Sequence, residues 1–303
     1  MIHLFSRLSS QTLGGVQLWC DLACLHGWRI QRHAWTNHHR LLDPANKRLV
    51  SGSLAACQAE FERIKQTERL EPIRGRVVLL LHGLAGFRVT MQPLARRLEQ
   101  AGFAVANLSY PSTRASLAEH ARTLARIVEQ MPEAEQLNFV AHSMGNIVVR
   151  HYLADQVAAG ALDPRLGRFV MLAPPNHGAE RAQTFGDTHA FALVLGKSGV
   201  QLGPGWPALA RYLGTPPCEF GIVAGGRAGG RGYSQNILGD DDGMLSVATT
   251  RLAGARDFAI VPVRHAFVPL QERVQRYTLN FLDHGWFESA DQRHPLEPVG
   301  GGN

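Results

Sequence analysis

Cysteine and lysine are scarce in this chain of 303 residues, and each scarcity excludes something. Its four cysteines, Cys20, Cys24, Cys57 and Cys218, form no CxxC pair and no histidine-linked spacing that reads as a zinc site. Neither a disulfide framework nor a structural metal is therefore expected. Of 31 basic residues only Lys47, Lys65 and Lys197 are lysines; the rest are arginines scattered along the chain. A formal net charge of +6 would suit a nucleic-acid partner, but such a footprint gathers its basic residues in a patch or on one helix face. The nearest approach is Arg29, Arg32, His33, His38, His39 and Arg40, so no nucleic-acid partner is expected. A weak preference for anionic surfaces or acyl-chain aggregates is the most the charge implies. No window reaches 18 uninterrupted apolar residues, which excludes a membrane-spanning helix. The N-terminus offers Arg7 but no apolar core with a small-residue cleavage site, so the expectation is a cytoplasmic protein with reduced thiols. Internal repeats and heptads are also missing.

What is present is a globular composition, 45% hydrophobic and 18% charged, long enough for a large α/β domain. Residues 1–75 show no buried strand run and read as helical pieces. The clearest is Ser53 to Thr67, where Leu54, Cys57, Phe61 and Ile64 share one stripe. Val16 to Trp28 is apolar on most faces; packing on the core is expected, with peripheral membrane contact as the alternative. After Pro72 the pattern changes. Val77 to Leu81 is a continuous apolar run, the mark of a strand buried on both faces of a parallel sheet. Helices over Thr90–Ala101, Leu117–Met131 and Met144–Asp155 then alternate with strands over Phe103–Leu108, Leu137–Ala141 and Phe169–Leu172. Two further strands, Glu219–Ala224 and Phe258–Val263, precede a helix from Pro269 to Leu282. Such alternation predicts a doubly wound, mostly parallel sheet spanning residues 76–287, with a polar tail over 288–303. Ligands bind at the carboxyl ends of such strands, so the polar residues just after each strand matter most.

After the third strand stands Ala141-His142-Ser143-Met144-Gly145. A serine between strand and helix, with small residues two before and two after, matches a nucleophile elbow. The turn lifts the hydroxyl above the sheet and puts the Met144 N–H at a helix N-terminus, where a tetrahedral oxyanion would form. After the first strand, His82-Gly83-Leu84-Ala85-Gly86-Phe87 can aim a second donor, the Leu84 N–H, at the same oxygen. It is no phosphate cradle, since neither GxGxxG nor a Gly-Lys-Ser/Thr ending is present. The serine needs a base, and the base needs an orienting carboxylate. Among His265, His284 and His294 only His265 directly follows a strand; the other two are expected to face solvent. Of Asp240, Asp241 and Asp242, Asp242 is chosen because Gly243 permits the turn that would direct its side chain inward. A calcium loop is not expected from three adjacent aspartates without EF-hand spacing.

The order Ser143, Asp242, His265 is the one the α/β-hydrolase fold dictates. The stretch from about Val77 to Phe287 resembles the α/β-hydrolase superfamily, and within it bacterial lipases and esterases. The Ala-His-Ser-Met-Gly elbow, Pro174-Pro175-Asn176-His177-Gly178-Ala179 and Asp-Gly-Met-Leu followed by His265 carry the resemblance. Many members have glycine where this chain has Ala141. The family's usual antiparallel strands at the start of the sheet are not evident. The resemblance implies cofactor-free acyl transfer from a small-molecule or lipid ester to water through an acyl-enzyme. An amidase or thioesterase with the same triad, or a non-catalytic hydrolase-like binding protein, are the competing expectations. Residues 178–217, apolar and irregular with short helical candidates near Ala190 and Ala208, are expected to form a lid over an acyl pocket.

Overall fold

The computed structural model describes residues 17–178 and 189–297. The apolar run after Pro72 forms β5 (Gly75–Leu81), which anchors a six-stranded, all-parallel sheet with β6 (Ala104–Asn107), β7 (Ala134–His142), β8 (Leu166–Leu172), β9 (Phe220–Gly226) and β10 (Asp257–Pro262). The spatial order is β10-β9-β8-β7-β5-β6. Alternation along β5 divides the core between two faces. Val77, Leu79 and Leu81 join a cluster with α3 (Leu117–Glu129) and α4 (Met144–Ala158). Val78 and Leu80 join another with α2 (Arg88–Gln100) and the last helix, Glu272–His284. The sheet is therefore doubly wound. The chain runs outward from β5 to β6, then crosses back to β7 and continues the other way through β8, β9 and β10. The reversal makes the carboxyl ends of β5 and β7 the topological switch point, where open α/β sheets bind ligands.

Residues 1–75 differ from the expectation. Instead of helical pieces, the described part forms a separate antiparallel sheet of β1 (Trp19–Leu25), β2 (Trp28–His33), β3 (His39–Leu42) and β4 (Arg48–Gly52). Only α1 (Leu54–Thr67) is helical, capped by the Ser53 hydroxyl and packing Cys57, Phe61 and Ile64 against Ile30 and Leu41. The strands escaped recognition because their buried positions are not all apolar: Asp21, Arg29, Gln31 and Arg40 lie inside the sheet. Asp21 is the centre of this polar group. Its carboxylate accepts from Gln31 Nε2 at 2.7 Å and from the Ser109 N–H at 2.6 Å, with Arg29 Nη1 at 3.8 Å. Ser109 belongs to the connection leaving β6, so this carboxylate fastens one sheet to the other. Removing it strands buried donors, so Asp21→Ala is expected to cost about 3–5 kcal/mol, measured as a lower urea midpoint at unchanged slope.

Two smaller differences lie downstream. Pro269 sits in a 3₁₀ turn, His265–Leu270, and the last helix begins at Glu272. The helical candidates near Ala190 and Ala208 correspond to α5 (His189–Leu202) and α6 (Trp206–Leu213); residues 179–188 of that stretch lie outside the described residues. Leu202, Trp206, Leu209 and Leu213 are buried in the cluster under the sheet, and the Ser198 hydroxyl donates to the Ala115 carbonyl. The final helix is numbered α8, after the single turn α7 (Val247–Thr250). Beyond it the chain does not trail away as a plain polar tail. The N–H of Leu296 donates to the Ala255 carbonyl at 2.9 Å, and the His294 N–H donates to the Asp257 carboxylate.

Candidate active site

β7 ends at His142 and α4 begins at Met144, leaving Ser143 alone at the junction with φ 53° and ψ −125°. Non-glycine residues avoid this region, at a cost of about 1–3 kcal/mol, unless the surroundings impose it. Here they do. The Ser143 N–H donates to the Leu172 carbonyl at 2.9 Å, and the Asn146 side-chain amide donates to the Ser143 carbonyl at 2.9 Å. Close approach also dictates small neighbours. A Cβ at Gly145 would lie 2.8 Å from the carbonyl oxygens of Leu81 and His82, and one at Gly83 would lie 2.9 Å from the Ser143 Cβ. The exits of β5 and β7 therefore touch, with the serine on top.

Ser143 Oγ lies 2.9 Å from His265 Nε2, and His265 Nδ1 lies 2.6 Å from Asp242 Oδ2. His265 follows β10, and its backbone N–H donates to the Asp242 carbonyl at 2.9 Å. Asp242 is 1% exposed, and its other oxygen, Oδ1, accepts from the Met244 and Leu245 amides at 2.9 and 2.8 Å. The carboxylate accepts in each of these contacts, so Nδ1 carries the imidazole proton and Nε2 offers a lone pair to the serine hydroxyl. Gly243 has φ +93°, which only glycine adopts without strain, and it makes the turn that aims Asp242 inward. Leu245 is buried beneath this turn, whereas Met244 is 48% exposed.

The two preceding aspartates are engaged as well, but elsewhere. Asp240 accepts from the Arg227 and Ala228 amides of the glycine-rich loop, and Asp241, 0% exposed, accepts from the Ser234 and Gly243 amides. Backbone donors in a loop carry no sequence signal, so neither engagement is legible from three adjacent aspartates. His284 and His294 are exposed and take no part. Met144 opens α4, where first-turn amides have no acceptor within the helix; Leu84 occupies the turn after β5. Among the described residues, no group of three or more histidines, cysteines, aspartates or glutamates is arranged to hold a metal ion.

Sequence reasoning quoted His142 and His82 but gave them no task. The ring of His142 donates from Nε2 to the His265 carbonyl at 3.0 Å and lies 4.9 Å, centroid to centroid, from the His265 ring. Burial, and then the neighbouring His265, hold it well below the usual histidine range. His82 stacks on Tyr110 at 4.2 Å, and Tyr110 stands edge-on to His120. Burial pushes both His82 and His120 down to about 4. Unfolded histidines take up protons near pH 6.5, while these two do so only near pH 4 in the fold, so stability is complete above pH 6.5 and is lost as pH falls towards 4. Each should contribute about 3 kcal/mol to that loss. Urea denaturation at pH 7.5 and 4.5 is expected to show the drop, and His120→Gln should reduce it.

Comparison with known proteins agrees with this architecture. A family model described as lecithin:cholesterol acyltransferase matches residues 88–193, a span that contains Ser143 but neither Asp242 nor His265. A search of curated proteins finds no match. Among solved structures, the mature form of the Bacillus licheniformis lipase BlEst2 is similar with 18% identity over 69% of this chain and 91% of that one, at a TM-score of 0.53. Its propeptide form gives 19% identity and the same TM-score, 0.53, over 66% of this chain and 49% of that one. A metagenomic carboxyl esterase, MGS0156, gives 18% identity over 64% of each chain at a TM-score of 0.48. The fold is that of the α/β-hydrolases. In that fold it is similar to the lipase BlEst2.

Proposed function

We propose that this protein is a serine ester hydrolase in which Ser143 is the nucleophile, His265 the general base and acid, and Asp242 the orienting carboxylate. The observation that carries the reading is the continuous hydrogen-bonded relay from Ser143 Oγ through His265 to a buried Asp242, starting from a strained serine at a strand–helix junction. In the proposed cycle His265 Nε2 takes the Ser143 proton as Oγ attacks the ester carbonyl. The N–H groups of Leu84 and Met144 receive the developing oxyanion. His265 then returns the proton to the departing alcohol, leaving an acyl-enzyme, and a water activated by the same imidazole releases the acid. Asp242 holds the tautomer throughout and stabilises the imidazolium. His142 steadies His265 from behind through its main-chain carbonyl; as a neutral imidazole it adds no positive charge beside the imidazolium.

Exposed apolar side chains lie close in sequence to the site residues: Phe87 and Val89 after the Leu84 turn, Leu238 and Met244 on either side of Asp242, and Phe267 and Leu270 after His265. Apolar residues so placed favour esters with an acyl chain over small polar ones. Residues 178–217 are proposed as the cap above that chain. A fluorophosphonate probe tests the reading, because only an activated serine is phosphonylated. The expected result is one adduct, located at Ser143 by peptide mass spectrometry, with p-nitrophenyl decanoate cleaved as well as the butyrate. An intact, unlabelled protein would refute it.

A further inference from the structure

A second feature of the carboxyl edge lies beyond β6, apart from the catalytic relay. A cavity of about 500 Å³ opens between β2, the 111–115 connection, α3 and α5. Five cations line it: Arg32, Arg114, Arg122, Arg126 and Lys197. Among the described residues none of the five forms an ion pair. The single carboxylate in the wall, Glu119, accepts from the N–H and hydroxyl of Ser116 through Oε2 and also attracts Lys197 and Arg122, which leaves the wall with an excess of four positive charges. Elsewhere Arg63, Arg165, Arg168 and Arg273 each pair with a carboxylate. An excess of like charge around one concavity favours a ligand of opposite charge. At the rim Trp35 is 64% exposed, with the Arg114 guanidinium stacked 4.7 Å from its ring centroid. An exposed indole beside guanidinium groups is the pairing that a lipid–water interface favours, the ring among the glycerol groups and the cations on phosphates.

We propose that this cavity binds the phosphate of an anionic phospholipid headgroup and seats the protein on a lipid surface. The position suits a lipid-active site. The wall residues Pro111 to Ala115 follow Tyr110, which stacks on His82, and the Ser112 hydroxyl accepts from the Ala85 N–H in the turn that carries Leu84. A surface held here lies on the same edge of the sheet as Ser143.

Binding is measured on full-length Ser143→Ala, so that the lipid is not consumed and the outcome does not depend on the proposed chemistry. Sedimentation with phosphatidylcholine vesicles containing ~25 mol% phosphatidylglycerol is expected to carry the protein down, whereas pure phosphatidylcholine leaves it in solution. Each basic residue at an anionic surface strengthens binding about fivefold, so Arg122→Glu/Arg126→Glu should weaken it about 25-fold or more. Both side chains are exposed, and circular dichroism checks that the variant folds; Arg114→Glu/Lys197→Glu is the second variant if it does not. Arg96→Glu/Arg276→Glu changes the net charge equally on α2 and α8, which cover the opposite face of the sheet, and should retain binding. Equal losses in the two doubles would mean attraction by net charge alone and overturn the proposal. So would an absence of binding to the anionic vesicles. Saturable binding of inorganic phosphate by calorimetry without vesicle binding would make the occupant a free anion and overturn the lipid assignment. Fluorophosphonate labelling of the wild type reports separately on the esterase reading.

Discussion

Ser143→Ala is expected to abolish ester hydrolysis, with a loss of about six powers of ten in kcat. The residue supplies the attacking oxygen, and no other hydroxyl occupies the strand–helix junction. Among the described residues its hydroxyl bonds only to His265, so the fold should not suffer: the melting temperature should stay within a few degrees of wild type. Hydrolysis of p-nitrophenyl butyrate by the purified variant gives the answer. Retained turnover would remove Ser143 from the mechanism.

The second large effect separates three adjacent carboxylates. Asp242→Asn is expected to lower kcat by two or more powers of ten, at about 1.4 kcal/mol per power. The amide can no longer accept everything the carboxylate does: if its NH₂ faces His265, the imidazole must move its proton to Nε2 and loses the lone pair needed by Ser143. Asp240→Asn should leave kcat near wild type, because its carboxylate binds the Arg227 and Ala228 amides away from the relay, and the amide oxygen keeps one of those two bonds. Asp241→Asn should also retain kcat per folded molecule but lose stability, by about 1–3 kcal/mol, since its buried carboxylate receives several amides at once. Active-site titration with the fluorophosphonate normalises each rate to competent enzyme. A crippled Asp240 or Asp241 variant alongside a healthy Asp242 variant would mean that the acid is misassigned.

The parallel sheet was legible because its central strands are buried on both faces over most of their length. Val77 to Leu81 and Leu137 to Ala141 cannot be anything but interior, and the serine and histidine could be picked from the residues that follow such runs. The antiparallel sheet was not legible, for a related reason. Trp28-Arg29-Ile30-Gln31-Arg32-His33 buries arginine and glutamine, whose partners Asp21, Asn46 and Arg40 lie well apart in sequence, so hydropathy alone reports a polar segment. The contrast between Asp241 and Asp242 was partly visible. Gly243 marked the turn, but the amides of Ser234, Met244 and Leu245 that fix the two carboxylates have no signature in side-chain chemistry.

The strand order has a consequence for how the protein comes into being. β8, β9 and β10 are laid down one after another at a single growing edge, away from β5 and β7. A chain emerging from the ribosome can pair β5, β6, β7 and β8, bringing the Leu172 carbonyl to the Ser143 N–H, while Asp242 and His265 are still unmade. During that interval the serine sits in its strained turn with no base beside it and cannot attack an ester. Activity arrives in one late step, when the final strand docks, rather than growing with the extent of folding.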